Sequence, residues 1–163
     1  MKSKSAQLQI RVTTAEKTAI QQLATTAGMD MSAYVLSRVL SAPASRFAEC
    51  VEACKNPESA SYGLAELNSF LSGLSASELR NAVAVAPAVK LTPYIANYIA
   101  AMVEYACQKQ DVAAPAWACM IEPLTEPVFA TTLQSLRLHL LTHSPPPFRR
   151  RNIFIDSSLG DRV

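Results

Sequence analysis

Two pairs of residues have the types and the spacing that could bind a metal ion, Cys50 with Cys54 and His139 with His143. Because residues four apart share one face of a helix, each pair could supply two zinc ligands. Structural zinc sites usually show tighter pairs in loops, and the sequence has no CxxC pair. We therefore expect no metal and no cofactor, and we interpret the four cysteines as reduced, buried thiols.

Residues suited to catalysis are few. No Ser-His-Asp order and no glycine-rich phosphate loop is present, and the chain has only four glycines. His139 lies among leucines, and Glu122 and Glu126 flank prolines in a predicted loop. We therefore expect that the protein is not an enzyme.

The charge is divided along the chain, although the net charge is only +2. Residues 1–46 carry six Lys or Arg against two acids, residues 47–143 carry five against nine, and residues 144–163 carry four against two. A basic start favours a polyanionic partner, and the acidic middle disfavours one. Half of the residues are apolar, but no 18-residue apolar run occurs and no apolar stretch follows the basic start. We expect a folded cytoplasmic protein that does not contact a membrane.

The residues from 7 to 13 have the alternating pattern of a strand. Leu8, Ile10 and Val12 fall on one face, and polar side chains fall on the other. A single strand leaves its backbone donors and acceptors unpaired, and no second strand lies nearby in the sequence. We therefore predict that the strand pairs with the same strand of a second copy, in an obligate dimer.

Two helices are predicted to follow the strand. Thr13 and Glu16 have the spacing of a capping box, and Gly28 suits the end of the helix that this box begins. Asp30 or Ser32 can cap the next helix. Its apolar face consists of Val35, Leu36, Val39 and Leu40.

The rest of the chain is predicted to be an α-helical domain over 44–143 and an extended, Arg-rich tail over 144–163. Helical signals in the domain include a capping box at Ser75 and Glu78 and a start at Thr92-Pro93. A last amphipathic helix is predicted from Phe129 to Leu140. The tail opens with three consecutive prolines, which favour an extended conformation.

The opening module, residues 1–43, resembles the ribbon-helix-helix repressors of the Arc type. The resemblance lies in the alternating segment Gln7-Leu-Gln9-Ile-Arg11-Val and in the residues from Gly28 to Val39, which follow it in the order found in that family. It implies a mainly α fold in which one strand and two helices form an intertwined dimer that inserts its ribbon into the DNA major groove.

This resemblance assigns roles to individual residues. Gln7, Gln9 and Arg11 would contact bases, since Arg suits guanine and Gln suits adenine. Contacts to phosphates would come from Lys2, Lys4 and the backbone N–H groups near Met31 and Ser32, although Asp30 is an unfavourable neighbour for a phosphate. The dimer core would consist of Leu8, Ile10, Val12, Ile20, Val35 and Val39.

The C-terminal part, from about residue 114 to the end, resembles bacterial antitoxins that are encoded beside nucleotidyltransferase-like toxins of the abortive-infection type. The motifs are Pro115-Ala-Trp117, Glu126-Pro-Val-Phe129, Leu136-Arg-Leu-His-Leu-Leu141 and the segment from Ser144 to Ile155. This resemblance implies a domain that neutralises a toxin.

In that interpretation the tail binds the toxin. The arginines would face an acidic surface, the apolar residues would fill pockets, and residues 152–156 would add a strand to a sheet edge. The side chains concerned are Phe148, Arg149, Arg150, Arg151, Ile153 and Phe154. Two alternatives are a tail that packs on its own domain and a tail that contacts DNA.

Three functions therefore stand as predictions. The first is a dimeric repressor, of possibly higher oligomeric state, that binds an operator in double-stranded DNA, autoregulates its operon and acts as an antitoxin. The second is a ribbon-helix-helix transcription regulator without a toxin. The third is an accessory DNA-binding protein of plasmid transfer.

Overall fold

A computed structural model describes residues 9–39 and 42–156, which belong to two compact units, Met1–Leu40 and Ser41–Val163. The described chain is mainly helical, which confirms the predicted fold class in that respect. Four predicted site residues lie outside the described part: Lys2, Lys4, Gln7 and Leu8. Among the described helices, none combines the length and the apolar character needed to cross a bilayer.

The N-terminal unit contains helices α1 (Thr14–Thr26) and α2 (Met31–Val39). The predicted capping box forms, since the Thr13 hydroxyl accepts from the Glu16 N–H at 3.3 Å and the Glu16 carboxylate accepts from the Thr13 N–H at 2.8 Å. Gly28 adopts a φ of +67°, a conformation that favours glycine after a helix end. The chain can therefore reverse within a few residues, and α2 packs on α1.

Over residues 9–13, the described part of the predicted strand, no strand is formed within the single chain. Residues 9–12 belong to neither a helix nor a strand, and residues 7 and 8 lie outside the described part. A ladder between two copies requires two chains, so the ribbon and the dimer stay predictions.

Four helices build most of the C-terminal unit: α3 (Ala42–Ala53), α4 (Ala60–Gly73), α5 (Ala76–Ala82) and α6 (Pro93–Lys109). The predicted starts of two of these helices are confirmed. Ser75 and Glu78 form a complete capping box at α5, and Thr92 caps α6 with Pro93 at its first position. Helix α6 is central, with nine buried residues.

A glycine allows α4 to approach the end of α3 closely. A Cβ atom at Gly63 would lie 2.9 Å from the Cys54 Sγ and 3.0 Å from the backbone of Ala53. Both neighbours are in or directly beside α3, so a side chain at this position would force the two helices apart.

The chain then forms α7 (Ala116–Cys119), β1 (Val128–Phe129), α8 (Gln134–His143), α9 (Pro146–Arg149) and β2 (Ile153–Phe154). Strands β1 and β2 are parallel, with Val128 opposite Ile153. The prediction that the last amphipathic helix begins at Phe129 is wrong, because Phe129 is in β1 and its ring stacks on that of Phe154.

The prediction of an extended tail is wrong for residues 146–149, which form α9, whereas the predicted strand within 152–156 is present as β2. Pro145 is extended, with φ −57° and ψ 142°, but Pro146 is the first residue of α9. Proline suits this position because it has no N–H to leave unpaired and its φ matches a helix. The turn brings Phe148, Ile153 and Ile155 into the core of the C-terminal unit.

Three cysteines of this core are expected to be unreactive in the native protein. Burial raises the pKa of Cys50 and Cys107, and raises that of Cys54 to about 11. At pH 8 these thiols stay protonated, whereas the thiolate is the species that reacts. Because Cys119 is exposed, we expect Ellman's reagent to modify Cys119 alone until the protein is denatured. Simultaneous reaction of all four thiols would contradict the described core.

Candidate nucleic-acid interface and the C-terminal arginine cluster

The segment before α1 displays polar and apolar side chains together. Gln9 and Arg11 are exposed, as a contact to DNA bases requires. Ile10 and Val12 are also exposed, by 61% and 45% of their surface. Alternation along the segment would put the two kinds of side chain on opposite faces of a strand. One face could then contact DNA while the other is covered by protein.

The N-terminal unit buries very little by itself. Among residues 9–36, Ala24 is the one buried residue, and the predicted dimer-core residues Ile20 and Val35 are half-buried. Leu23 is 53% exposed and Leu36 is 39% exposed. The side chain of Val39, the remaining dimer-core residue, lies outside the described part. Within residues 9–36, the part of this unit whose burial is described, the core is therefore small for a module of about forty residues.

The start of α2 is the second place where a DNA contact is predicted. Met31 and Ser32 are exposed there, in the first turn. The Asp30 carboxylate accepts a hydrogen bond from the Ala33 N–H at 3.0 Å and thereby caps the helix. A phosphate that approaches the N–H groups of Met31 and Ser32 would therefore meet a negative charge.

Replacing Asp30 separates these two roles. Asp30→Asn retains a cap of similar strength and removes the charge, so we expect DNA to bind more tightly, by up to about fivefold at low salt. Asp30→Ala removes the cap and should lower the free energy of unfolding by about 1 kcal/mol. Fluorescence anisotropy with a labelled duplex and thermal unfolding measure the two effects. Weaker binding by Asp30→Asn would place this helix end away from the phosphates.

The C-terminal unit contains a buried charged cluster centred on Arg151. Its side chain is 5% exposed, and its Nη2 lies 2.6 Å from the Glu104 Oε1. The Glu104 side chain is itself only 6% exposed. The guanidinium also donates to Asn97 Oδ1 at 3.1 Å and to the carbonyls of Ala118 and Ile121 at 2.6 and 3.2 Å. Arg151 thus fixes the C-terminal segment to α6, the α7 region and the loop after it.

The arginines that were predicted to bind a toxin are not equivalent. Arg149 is exposed, and Arg150, with 65% of its side chain exposed, donates to Glu104 at 3.1 Å. The Arg151 side chain is buried inside its own unit, so the prediction that it contacts a toxin is wrong.

The apolar side chains assigned to that partner also face inward. Phe148 makes edge-to-face contacts with Tyr98 and Tyr105 in α6, at centroid distances of 5.3 and 6.4 Å. Ile153 and Phe154 are buried, at 1% and 8% exposure. These residues fill the core of their own unit rather than pockets on a partner, as in the self-packing alternative.

Glu104 and Asn97 were not predicted from the sequence as partners of Arg151. One feature of the sequence could have indicated this ion pair: Glu104 is the only acid within the 17 residues of α6. A lone carboxylate in an otherwise apolar helix requires a cation when it is buried.

Comparison with known proteins covers the beginning of the chain. A family model described as NikA-like, mobilization protein NikA, matches residues 2–49. This family comprises ribbon-helix-helix-type DNA-binding proteins of the relaxosome. The match covers less than a third of the chain and does not reach the part that resembles antitoxins. No curated protein and no solved structure matches the chain.

Proposed function

We propose that the protein is a dimeric DNA-binding accessory protein of plasmid transfer. The observation that carries this proposal is the match of residues 2–49 to the mobilization-protein family. It covers the predicted ribbon and both helices of the N-terminal unit. Among the three predicted functions, it favours the plasmid-transfer interpretation over the antitoxin.

The described residues support the dimer in this proposal. Ile10 and Val12 are exposed in the single chain, next to helices that leave Leu23 and Leu36 exposed as well. Pairing of two copies through this segment would supply the missing backbone hydrogen bonds and cover the apolar side chains. The unit would then have a core of adequate size.

The polar face of the same ribbon supplies the DNA contact. Two copies would bring two sets of Gln9 and Arg11 into one groove, where bidentate hydrogen bonds distinguish base pairs. Lys2 and Lys4 would add phosphate contacts that do not depend on sequence, so binding should weaken steeply as salt rises.

The antitoxin function has no support from the comparisons. The family match ends at residue 49, and several side chains assigned to the toxin are buried in the C-terminal unit. Plain transcriptional repression uses the same ribbon and would differ in the DNA site that is bound.

The site on DNA therefore tests the proposal. We would tile short labelled duplexes across the transfer origin and across the promoter of the gene, and measure binding of the full chain to each at a fixed salt concentration. We expect the tightest binding at the transfer origin. Preference for the promoter would assign the protein to transcriptional repression, and equal binding to every duplex would remove sequence recognition altogether.

A further inference from the structure

Helix α8 carries the two histidines of the chain, His139 and His143, on one face. Residues four apart on a helix lie one above the other, and the two imidazole rings stack, with 4.0 Å between their centroids and 14° between their planes. Both side chains are exposed, in a helix whose only buried residue is Leu140. The rings therefore form a pair that solvent and ions can reach.

Hydrogen bonds orient the ring of His143. Its Nδ1 lies 3.0 Å from the carbonyl oxygen of His139 and 2.8 Å from Oγ1 of Thr142. A carbonyl oxygen only accepts, so this contact places the proton on Nδ1 and leaves a lone pair on Nε2. Histidines that bind metals are commonly held in this way, with one N–H on a backbone carbonyl and the other nitrogen on the metal.

The charges around the pair favour a bound cation. Asp156 Oδ2 lies 3.3 Å from Nε2 of His139, and a negative charge so close stabilises a positive charge at this ring. Protons on both rings would put two positive charges at stacking distance, and these would repel each other. A single metal ion shared by two neutral rings supplies the positive charge without that repulsion.

The other pair of candidate ligands, Cys50 and Cys54, does not offer such a site. Both cysteines are buried in the core, and the Cys54 Sγ donates to the Cys50 carbonyl at 3.2 Å. Burial raises the pKa of both thiols, whereas a metal ion binds the thiolate. The histidine pair is the accessible one of the two.

We propose that His139 and His143 bind one divalent transition-metal ion of the class that imidazole favours, such as Zn²⁺. Two histidines four apart are the spacing by which a helix presents two zinc ligands. Among the described residues no group of three or more His, Cys, Asp or Glu is placed to hold a metal ion. Water therefore completes the coordination, and the ion exchanges with solvent.

Such an ion has a stabilising role rather than a catalytic one. In the helical zinc motif of hydrolases a glutamate follows the first histidine and acts as the general base. Here Leu140 follows His139, and its side chain is buried. The ion would tie one turn of α8 to the next, and because α8 has a single buried residue, this link should slow the local opening of the helix.

Calorimetric titration of the full chain, without an affinity tag, with zinc chloride tests the site. Every protein used carries Cys119→Ser, because Cys119 is exposed and its thiolate would also bind zinc. We expect one Zn²⁺ per chain. His139→Gln and His143→Gln should each weaken binding by at least about tenfold, since even changes around a ligating histidine cost that much. An excess of Mg²⁺ should not compete, because it prefers oxygen ligands.

A double variant is the matched control for spacing. Leu141→His combined with His143→Gln keeps two histidines in α8 but places them two residues apart, where they do not share a face. It should bind zinc as weakly as the single variants. Leu141 is 42% exposed, so the helix should tolerate the change, and circular dichroism without metal verifies this.

Hydrogen exchange reads the effect of the ion on α8. With zinc at ten times its dissociation constant, exchange of the amides near residues 139–143 should slow by about tenfold, and the double variant should show no change. Three results would overturn the assignment: no zinc binding, binding that the double variant retains, or binding that leaves exchange in α8 unaltered. None of these measurements involves DNA, so they are independent of the proposed function.

Discussion

Replacing Arg151 by methionine is expected to destabilise the C-terminal unit by about 3–5 kcal/mol, because it breaks a buried ion pair. The change removes the 2.6 Å partner of the buried Glu104 carboxylate, which keeps only the exposed Arg150, and it removes the hydrogen bonds of the guanidinium to Asn97 and to the carbonyls of Ala118 and Ile121. Urea unfolding followed by tryptophan fluorescence measures the loss. Trp117 is the only tryptophan, and its Nε1 donates to the Val83 carbonyl within this unit.

Two variants separate the charge from the packing. Arg149→Met removes the same charge at an exposed position and should change the free energy of unfolding by less than about 0.5 kcal/mol. Arg151→Met combined with Glu104→Met should cost less than the sum of the single variants, because each single variant removes the same buried ion pair. If Arg151→Met unfolded at the urea concentration of the wild type, the buried ion pair would not hold the C-terminal segment.

The second large effect is expected at Arg11. Arg11→Ala should weaken binding to the specific DNA site by about 1–3 kcal/mol, or roughly 5- to 150-fold, for each copy of the dimer, because each copy loses one bidentate base contact. Binding to unrelated DNA should fall much less, since it depends on phosphates. Competition between specific and unrelated duplexes, measured by anisotropy, gives both values.

The matched control is Arg80→Ala, which removes an exposed arginine from α5 in the C-terminal unit. It lowers the net charge equally and should leave the preference for the specific site intact. An equal loss on specific and unrelated duplexes in Arg11→Ala would make Arg11 a phosphate contact and leave the base readout to Gln7 and Gln9.

Local signals predicted the beginnings and ends of helices well. The capping boxes at Thr13 and Ser75, and the Thr92-Pro93 start, each depend on residues within one turn of the helix they open. Such interactions are encoded in short stretches of sequence and need no knowledge of the fold. The turn at Gly28 is predictable for the same reason.

The C-terminal segment could not be predicted in this way, because its partners are distant in sequence. Arg151 pairs with Glu104, 47 residues earlier, and β2 pairs with β1, whose Val128 lies opposite Ile153. Its prolines and arginines have the composition of an extended, solvated tail, and only tertiary contacts overrule that pattern. For the DNA interface the reverse holds. Its alternating residues are evident in the sequence, while the ladder that would order them needs a second chain.

The mass of the protein in solution is the most direct test of the paired ribbon. Sedimentation equilibrium of the full chain at micromolar concentration should give twice the 17.6 kDa mass of one chain. The double variant Ile10→Lys, Val12→Lys should lose this dimer, because charged side chains cannot occupy the face that two copies share. A wild-type protein that sediments as a 17.6 kDa monomer, or a dimer that survives both lysines, would contradict the account.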